Sequence, residues 1–402
     1  MKPKFFRKVL KNRMTVIFEK RELPVVSVAF AVKQGGINEL EEEKGISHFI
    51  EHMLYKGTPT RNAKKIADEI ERNGGELNGF TDEAITAYWC KMPSENLKVA
   101  LEVLSDMVKN PLFDSKELEK ERQVIFEEIK MRRDNPMIYT YDSIQGYLYD
   151  KPFAVPLIGT HESMNSINNE KIIKKFKEVY TPKNMILCVV GDANFETLCD
   201  FAEKNFKKQK GSIRQIPLKL KNQEKIEKRK GINQANLIFA YHSPLANNDL
   251  SYSAQALNVL MAGGMSSRLF SEIREKRNLA YSVKGEAMIN GGYSYSIIYV
   301  GTKKENVDKV KKLIIEEFEK VFRELKEKEL NEVKKQIIGN YKISLEDSRV
   351  QMVGLLAYEI TGNAEKFYEF EEKIKKVKLE DVKNLAKKAI EKYSFFALIP
   401  SH

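Results

Sequence analysis

Cysteine is scarce in this chain, and no apolar run is long. The 402 residues include three cysteines, Cys90, Cys188 and Cys199. An odd and widely spaced set of this kind does not form a disulfide framework, and none of the three has the spacing of a metal ligand. No apolar run reaches the roughly 20 residues that a membrane-spanning helix needs, and the basic N-terminal segment lacks the apolar core of a signal peptide. We therefore expect a cytoplasmic protein that does not act in a membrane.

The excess of positive charge is interspersed with negative charge. The chain carries 68 Lys and Arg against 57 Asp and Glu, a net charge of +11 at pH 7, which raises the hypothesis of nucleic-acid binding. Lysine and glutamate are mixed along most predicted helices, as in 323–330, and mixed signs are typical of solvated helix faces. The dense basic stretch 207–214 falls in a predicted linker and has no nucleic-acid-binding motif beside it. We expect no nucleic-acid partner.

Histidine is rare as well, yet two of the five histidines stand four residues apart, in His48-x-x-Glu51-His52. Residues three and four apart share one face of a helix, so both imidazoles and the carboxylate can converge on one point. Two neutral imidazoles suit Zn²⁺, and a nearby carboxylate can take a proton from water. The order H-x-x-E-H is the inverzincin signature. The alternative is a surface helix that carries two histidines by chance. Four apolar residues behind the polar face favour a half-buried helix over 47–54: Phe49, Ile50, Met53 and Leu54.

A third ligand is expected on the helix that Asp114 can cap. Glu121 and Glu128 are seven residues apart and lie on one helix face, two turns from each other. Glu127 points about 100° away from Glu128. The alternative is that each of these carboxylates is a solvated charge on a helix rich in lysine and glutamate. The apolar residues at positions 124, 125 and 129 indicate that part of this helix is buried, where a carboxylate needs a partner.

These two motifs together resemble the pitrilysin family of zinc peptidases. His48-x-x-Glu51-His52, followed by Glu121-Arg-x-Val-Ile-x-x-Glu128, is similar to the motif of bacterial processing peptidases and of the mitochondrial processing peptidase beta subunit. The resemblance implies that His48, His52 and Glu128 bind one Zn²⁺ per chain and that Glu51 is the general base. It also implies that Glu121 orients a zinc ligand through a hydrogen bond.

The resemblance extends to residues that would contact a peptide substrate. Asn78, Gly79, Phe80 and Thr81 resemble the family's strand beside the zinc site, on which a substrate backbone would lie as an added strand. In the second half of the chain, Arg274 and Tyr281 match the family's pair that contacts the substrate backbone and the oxyanion, a role that suits two hydrogen-bond donors. The alternative for this pair is an ordinary helix end whose tyrosine packs into the core.

The chain also looks duplicated, with an offset near 210 residues. The buried strand predicted over 25–32 has a counterpart over 236–241, and the amphipathic stretch 94–104 has one over 304–314. Mixed strands and helices of this kind favour an α+β fold. We predict two similar domains, each a β-sheet covered by helices, over residues 1–211 and 212–402. The boundary should lie in the basic, glycine-containing segment 208–222.

The resemblance implies a zinc metalloendopeptidase that hydrolyses peptides or unfolded segments in a closed chamber. This chain has the length of one half of the longer relatives, so we expect a homodimer in which Arg274 and Tyr281 of one subunit serve the zinc of the other. A heterodimer with a paralogue that lacks zinc is the alternative assembly. The alternative function is a non-catalytic structural or partner subunit of a heterodimeric processing peptidase. The acidic run 39–43 before the zinc motif is interpreted as an exposed run of charge.

Overall fold

The structure is a computed structural model that describes residues 4–401 of the chain. Its strands are β1 Lys4–Val9, β2 Thr15–Lys20, β3 Val25–Val32, β4 Glu76–Thr81, β5 Thr86–Pro93, β6 Met185–Gly191, β7 Glu224–Arg229, β8 Ala235–His242, β9 Ala280–Ile289, β10 Ser294–Thr302 and β11 Ser394–Pro400. Its α-helices are α1 Ile46–Leu54, α2 Ala63–Glu71, α3 Leu97–Lys109, α4 Ser115–Asp134, α5 Pro136–Leu148, α6 His161–Ser166, α7 Asn169–Val179, α8 Phe195–Asn205, α9 Leu250–Ala262, α10 Val307–Glu324, α11 Glu327–Ser344, α12 Ser348–Ile360, α13 Phe370–Lys375 and α14 Leu379–Glu391.

The two sheets repeat one plan. The first has the strand order β1-β2-β6-β3-β5-β4 and the second has the order β7-β11-β8-β10-β9. Without β1, the first sheet has five strands that correspond in order to the five of the second sheet. The first pair, β2 with β6 or β7 with β11, is parallel. The next pair, β6 with β3 or β11 with β8, is antiparallel. The remaining pairs, through β5 and β4 or β10 and β9, are antiparallel. The predicted α+β fold with two similar, helix-covered sheets is confirmed.

The compact units are not contiguous in sequence. One unit consists of the described part of Met1–Ile129 with Val155–Pro217 and Ser344–Phe367, and the other takes the remaining described segments of the chain. Helix α5 from the first half packs on β8 and β11, and helix α12 from the second half packs on β3 and β6. Each half of the chain therefore contributes one helix that packs on the sheet of the other half. The contacts therefore group the chain differently from the predicted domains 1–211 and 212–402. Those bounds stay a prediction of where the two duplicated halves begin and end.

Each unit has its own apolar core. The core of the first unit combines the inner face of its sheet with helices α1 and α3, and the core of the second unit combines β8 and β10 with α9, α10 and α14. The strand predicted over 25–32 is β3, which is buried from its second residue onward. Among residues 4–401, none of the helices is both long enough and apolar enough to cross a membrane.

Candidate metal centre and active site

Helix α1 carries the H-x-x-E-H motif on one face and its apolar residues on the other, as predicted. Phe49, Ile50, Met53 and Leu54 are all buried. The backbone enters the helix through Gly45, whose φ of 90° is the left-handed conformation that glycine adopts without strain. Because these apolar side chains are fixed in the core, the polar face of the helix is held in one orientation.

The acidic run before this helix is not simply an exposed charge, which corrects that interpretation. Glu39 is fully buried, and its carboxylate accepts hydrogen bonds of 2.8 Å from the backbone N–H groups of Gly45 and Ser47. A carboxylate at a helix N-terminus satisfies donors that the helix itself leaves free and interacts well with the helix dipole. Glu39 therefore anchors the start of the motif helix.

Three side chains converge as a metal-ligand set. His48, His52 and Glu128 each offer one ligand atom, and the three atoms lie within 4.8 Å of one another. The Nε2 atoms of the two histidines are 3.6 Å and 3.9 Å from Oε2 of Glu128. Within residues 4–401 no second group of this kind is found. Two imidazole nitrogens and a carboxylate are a donor set of catalytic zinc sites, so these residues fit Zn²⁺.

Glu121 forms a hydrogen bond with one of the two histidines of this cluster. Its side chain is 8% exposed; Oε2 accepts from Nδ1 of His52 at 3.0 Å, and Oε1 accepts from Nζ of Lys56 at 2.6 Å. Because Nδ1 of His52 carries the proton in this hydrogen bond, Nε2 keeps its lone pair toward the cluster. Sequence reasoning missed Lys56, because its partner Glu121 lies on α4, far from it in sequence.

The carboxylate of Glu51 lies on the same face, against strand β4. Its Oε2 accepts a 2.6 Å hydrogen bond from Oγ1 of Thr81. Burial raises the pKa of Glu51, and the hydrogen bond from Thr81 opposes that rise. The substrate contact expected of Thr81 stays a prediction, and the structure adds that its hydroxyl is joined to Glu51.

Strand β4 is an edge strand and carries the rest of the predicted substrate-binding stretch. Among residues 4–401 it pairs with β5 alone. Asn78 is exposed, and Phe80 is half-buried. A Cβ on Gly79 would lie 2.4 Å from the hydroxyl oxygen of Tyr55 and 3.2 Å from Oε1 of Glu51. A side chain at position 79 would therefore collide with Tyr55 and crowd Glu51, which explains the glycine. Tyr55 was also missed from the sequence, since only the tertiary packing brings it there.

A cleft of about 390 Å³ opens beside the cluster. Its lining comes from helices α1 and α4 and the residues directly after α1: Glu51, His52, Tyr55, Lys56, Glu121 and Val124. Carboxylates, an imidazole and an ammonium group thus face one concave space, which is the kind of place where a polar substrate group can be held and a proton moved.

Arg274 and Tyr281 belong to the second unit. Arg274 lies in the π-helical turn Phe270–Glu275, with its guanidinium 4.8 Å from the centre of the Phe270 ring. Tyr281 is the second residue of β9 and is 63% exposed. That exposure excludes the alternative in which Tyr281 packs into the core. Both side chains are available to a ligand, whereas the other predicted site residues all lie in the first unit.

Family models match both halves of the chain. The model described as "Insulinase (Peptidase family M16)" matches residues 15–160, which include the metal-ligand set. The model described as "Peptidase M16 inactive domain" matches residues 166–337, which include Arg274 and Tyr281.

Relatives of similar length match almost the whole chain. A protein of Rickettsia felis, named as an uncharacterized zinc protease, is 32% identical, and the match covers 99% of this chain and 98% of that protein. The uncharacterized zinc protease YmxG of Bacillus subtilis is also 32% identical, with 98% of this chain and 96% of that protein covered. The crystal structure of a protease from Helicobacter pylori superposes with a TM-score of 0.92 at 26% identity, covering 99% of this chain and 100% of the other.

Proposed function

Because this chain belongs to the M16 family of peptidases, we propose that it is a zinc metalloendopeptidase that hydrolyses peptides or unfolded segments. The observation that carries this proposal is the convergence of His48, His52 and Glu128 within 4.8 Å, with Glu51 on the same helix face. Three ligands and a separate carboxylate base are what metal-assisted hydrolysis needs.

In this proposal each side chain of the cluster has one task. His48 and His52 would hold Zn²⁺ through Nε2, and Glu128 would hold it through its carboxylate. Zn²⁺ in such a site acts as a Lewis acid and makes water a nucleophile at neutral pH. Glu121 holds His52 in the tautomer that leaves Nε2 free to bind the metal. Lys56 balances the charge of Glu121, so that the site does not hold an unpaired buried carboxylate.

Glu51 is the proton carrier of the reaction. Its carboxylate takes a proton from the attacking water as the new C–O bond forms, and then delivers that proton to the nitrogen of the breaking C–N bond. The pKa of Glu51 is raised by burial, which makes the carboxylate a better proton acceptor for this transfer. The hydrogen bond from Thr81 fixes one oxygen and leaves the other for this transfer.

The substrate would lie along β4. Its free edge offers backbone groups to an extended peptide over Asn78–Thr81, as in strand addition. Arg274 and Tyr281 would donate hydrogen bonds to the substrate backbone and the developing oxyanion. We propose that the two come from a second copy of the chain, in a homodimer that encloses the substrate in a chamber. A heterodimer with a zinc-lacking paralogue is the alternative partner arrangement.

The proposed function is tested with the variant Glu51→Gln. It should retain zinc, because Glu51 is not a ligand, and should cleave a peptide library roughly 10²-fold to 10⁴-fold more slowly, the range for loss of a general base. The matched control is Glu127→Gln, an exposed glutamate on α4, which should keep both zinc and cleavage. Full activity of Glu51→Gln would contradict the assignment. A wild-type chain that binds zinc but cleaves no library peptide would support the non-catalytic subunit instead.

The composite homodimer is tested by mixing two inactive variants. Glu51→Gln lacks the base and Tyr281→Phe lacks the hydroxyl, so neither homodimer should cleave peptides well. A mixed dimer would contain one site with both groups intact, and activity should return on mixing. Failure of mixing to restore activity, or full activity of a monomeric wild type, would overturn this arrangement.

A further inference from the structure

The first unit contains a second, larger cavity that the proposed reaction does not use. Its volume is about 890 Å³, within the range of small-molecule sites. It lies between the C-terminal end of α3, helix α7 and the segment that follows α8. Its apolar wall includes Phe113, Ile173, Phe176, Tyr180 and Phe206.

The floor of this cavity is aromatic and fixed. Phe113 and Phe206 are buried. The Phe176 ring lies 5.1 Å from the Phe113 ring and 4.5 Å from the Tyr180 ring, centre to centre. The Tyr180 hydroxyl is already engaged with that of Tyr88 at 2.7 Å. The floor therefore offers apolar surface and few free polar groups to a ligand.

The charge around this floor is of one sign. Four lysines line the cavity, Lys109, Lys177, Lys207 and Lys210, and no aspartate or glutamate does. In the part of the chain that the structure describes, none of the four forms an ion pair, in contrast to many other lysines of the chain. An anion in the cavity would therefore meet ammonium groups that no carboxylate of the protein already neutralises.

Lys109 lies beside the apolar part of the cavity. Its Nζ lies 5.4 Å from the centre of the Phe206 ring, and burial lowers its pKa against the attraction of Asp106. Asp106 is held by the Arg61 guanidinium at 2.8 Å and does not bond to Lys109. The Lys109 ammonium is thus partly desolvated without a direct counter-ion, a state that a bound anion would relieve.

We propose that this cavity binds a single-chain amphipathic carboxylate of the fatty-acid type. Its hydrocarbon chain would cover the aromatic floor, and its carboxylate would lie among the lysines. An apolar floor with cationic groups at its rim matches both ends of such a molecule, whereas a polyanion such as a nucleic acid would leave the floor unused. This proposal does not depend on the peptidase reaction, since none of its residues belongs to the metal centre.

The test is a titration of the full-length protein with dansyl-undecanoic acid, whose fluorescence rises in an apolar site. We expect saturable binding of one probe per chain, displaced by dodecanoate and weakened by added salt. The double variant Lys177→Glu/Lys210→Glu changes two exposed positions, so it should fold normally and weaken binding by roughly ten-fold or more. Ile173→Trp should block binding by filling the cavity. The matched control is Lys98→Glu, an exposed lysine of α3 outside the cavity, which should bind as the wild type does.

Three results would overturn the proposal. The first is an absence of saturable binding by the wild type. The second is probe binding that neither the charge reversal nor Ile173→Trp changes, because the probe would then lie elsewhere. The third is a probe displaced by an acidic peptide or by anionic vesicles but not by dodecanoate, which would assign the cavity to a different partner.

Discussion

The contact between Gly79 and Tyr55 gives the sharpest test of the geometry around the base. In Gly79→Ala the new methyl carbon would lie 2.4 Å from the Tyr55 hydroxyl oxygen, 3.0 Å from the carbonyl oxygen of Ala87 and 3.2 Å from Oε1 of Glu51. The shortest of these distances is well inside van der Waals contact, so the tyrosine or the strand must move. In Tyr55→Phe that obstacle is absent. The two substitutions should therefore be strongly coupled.

The size of the effect follows from two opposing terms. Overpacking a filled site costs about 1–3 kcal/mol, whereas replacing glycine by alanine gains about 0.4–1 kcal/mol by restricting the unfolded chain. With the middle of both ranges, Gly79→Ala alone should therefore destabilise the protein by about 1.3 kcal/mol. Tyr55→Phe alone should be nearly neutral or stabilising, because the buried Tyr55 hydroxyl has no hydrogen-bond partner among residues 4–401. In the Tyr55→Phe background the cost of Gly79→Ala should largely disappear.

The assay is thermal unfolding of the four proteins of this double-mutant cycle, combined with peptide cleavage. A displacement of Glu51 by about 1 Å can slow a reaction by about 10²-fold, so Gly79→Ala should also lose activity. The control is Gly339→Ala, since a Cβ at this position of α11 meets no atom within 4 Å, and it should stabilise the helix by about 1 kcal/mol. An equal cost of Gly79→Ala in both backgrounds would refute the steric explanation.

Two further predictions concern the metal site and the second unit. Glu121→Gln weakens the hydrogen bond to a histidine ligand and should lower zinc affinity by about 10-fold to 100-fold in chelator competition, whereas Glu127→Gln should not. Burial lowers the pKa of His242 in the folded protein. As the pH falls below the ordinary histidine pKa of about 6.5, the unfolded chain therefore binds a proton before the folded protein does. The stability of the fold decreases over this range, until the pH reaches the lowered pKa. His242→Gln should therefore lose less thermal stability than the wild type between pH 7.5 and about 5, and equal losses in the two proteins would contradict this explanation.

The elements with strong local patterns could be predicted from the sequence. Apolar residues at helical spacing behind the two histidines predicted a half-buried helix over 47–54, and α1 spans Ile46–Leu54. The apolar run 25–32 predicted β3 with its exact bounds. Asp114 was expected to cap α4, and its carboxylate accepts from the N–H groups of residues 116 and 117. Each of these features depends on neighbours within a few residues.

Features that depend on distant neighbours could not be predicted in this way. No local pattern in α5 or α12 indicates that each helix covers the sheet built by the other half of the chain. Glu39 looks like any other member of an acidic run until the backbone of α1 is placed beside it. The roles of Tyr55 and Lys56 depend on their contacts with β4 and α4, which lie far from them in sequence.

The central claim, a peptidase site built on His48, His52 and Glu128, is tested most directly by zinc titration of the metal-free protein with an internally quenched peptide library as reporter. Cleavage should rise linearly with added zinc and level off at one zinc per chain. His52→Ala should show no such rise at the same zinc concentrations. Full cleavage by the metal-free protein, or a titration of the wild type that reaches one bound zinc without any cleavage, would contradict the account.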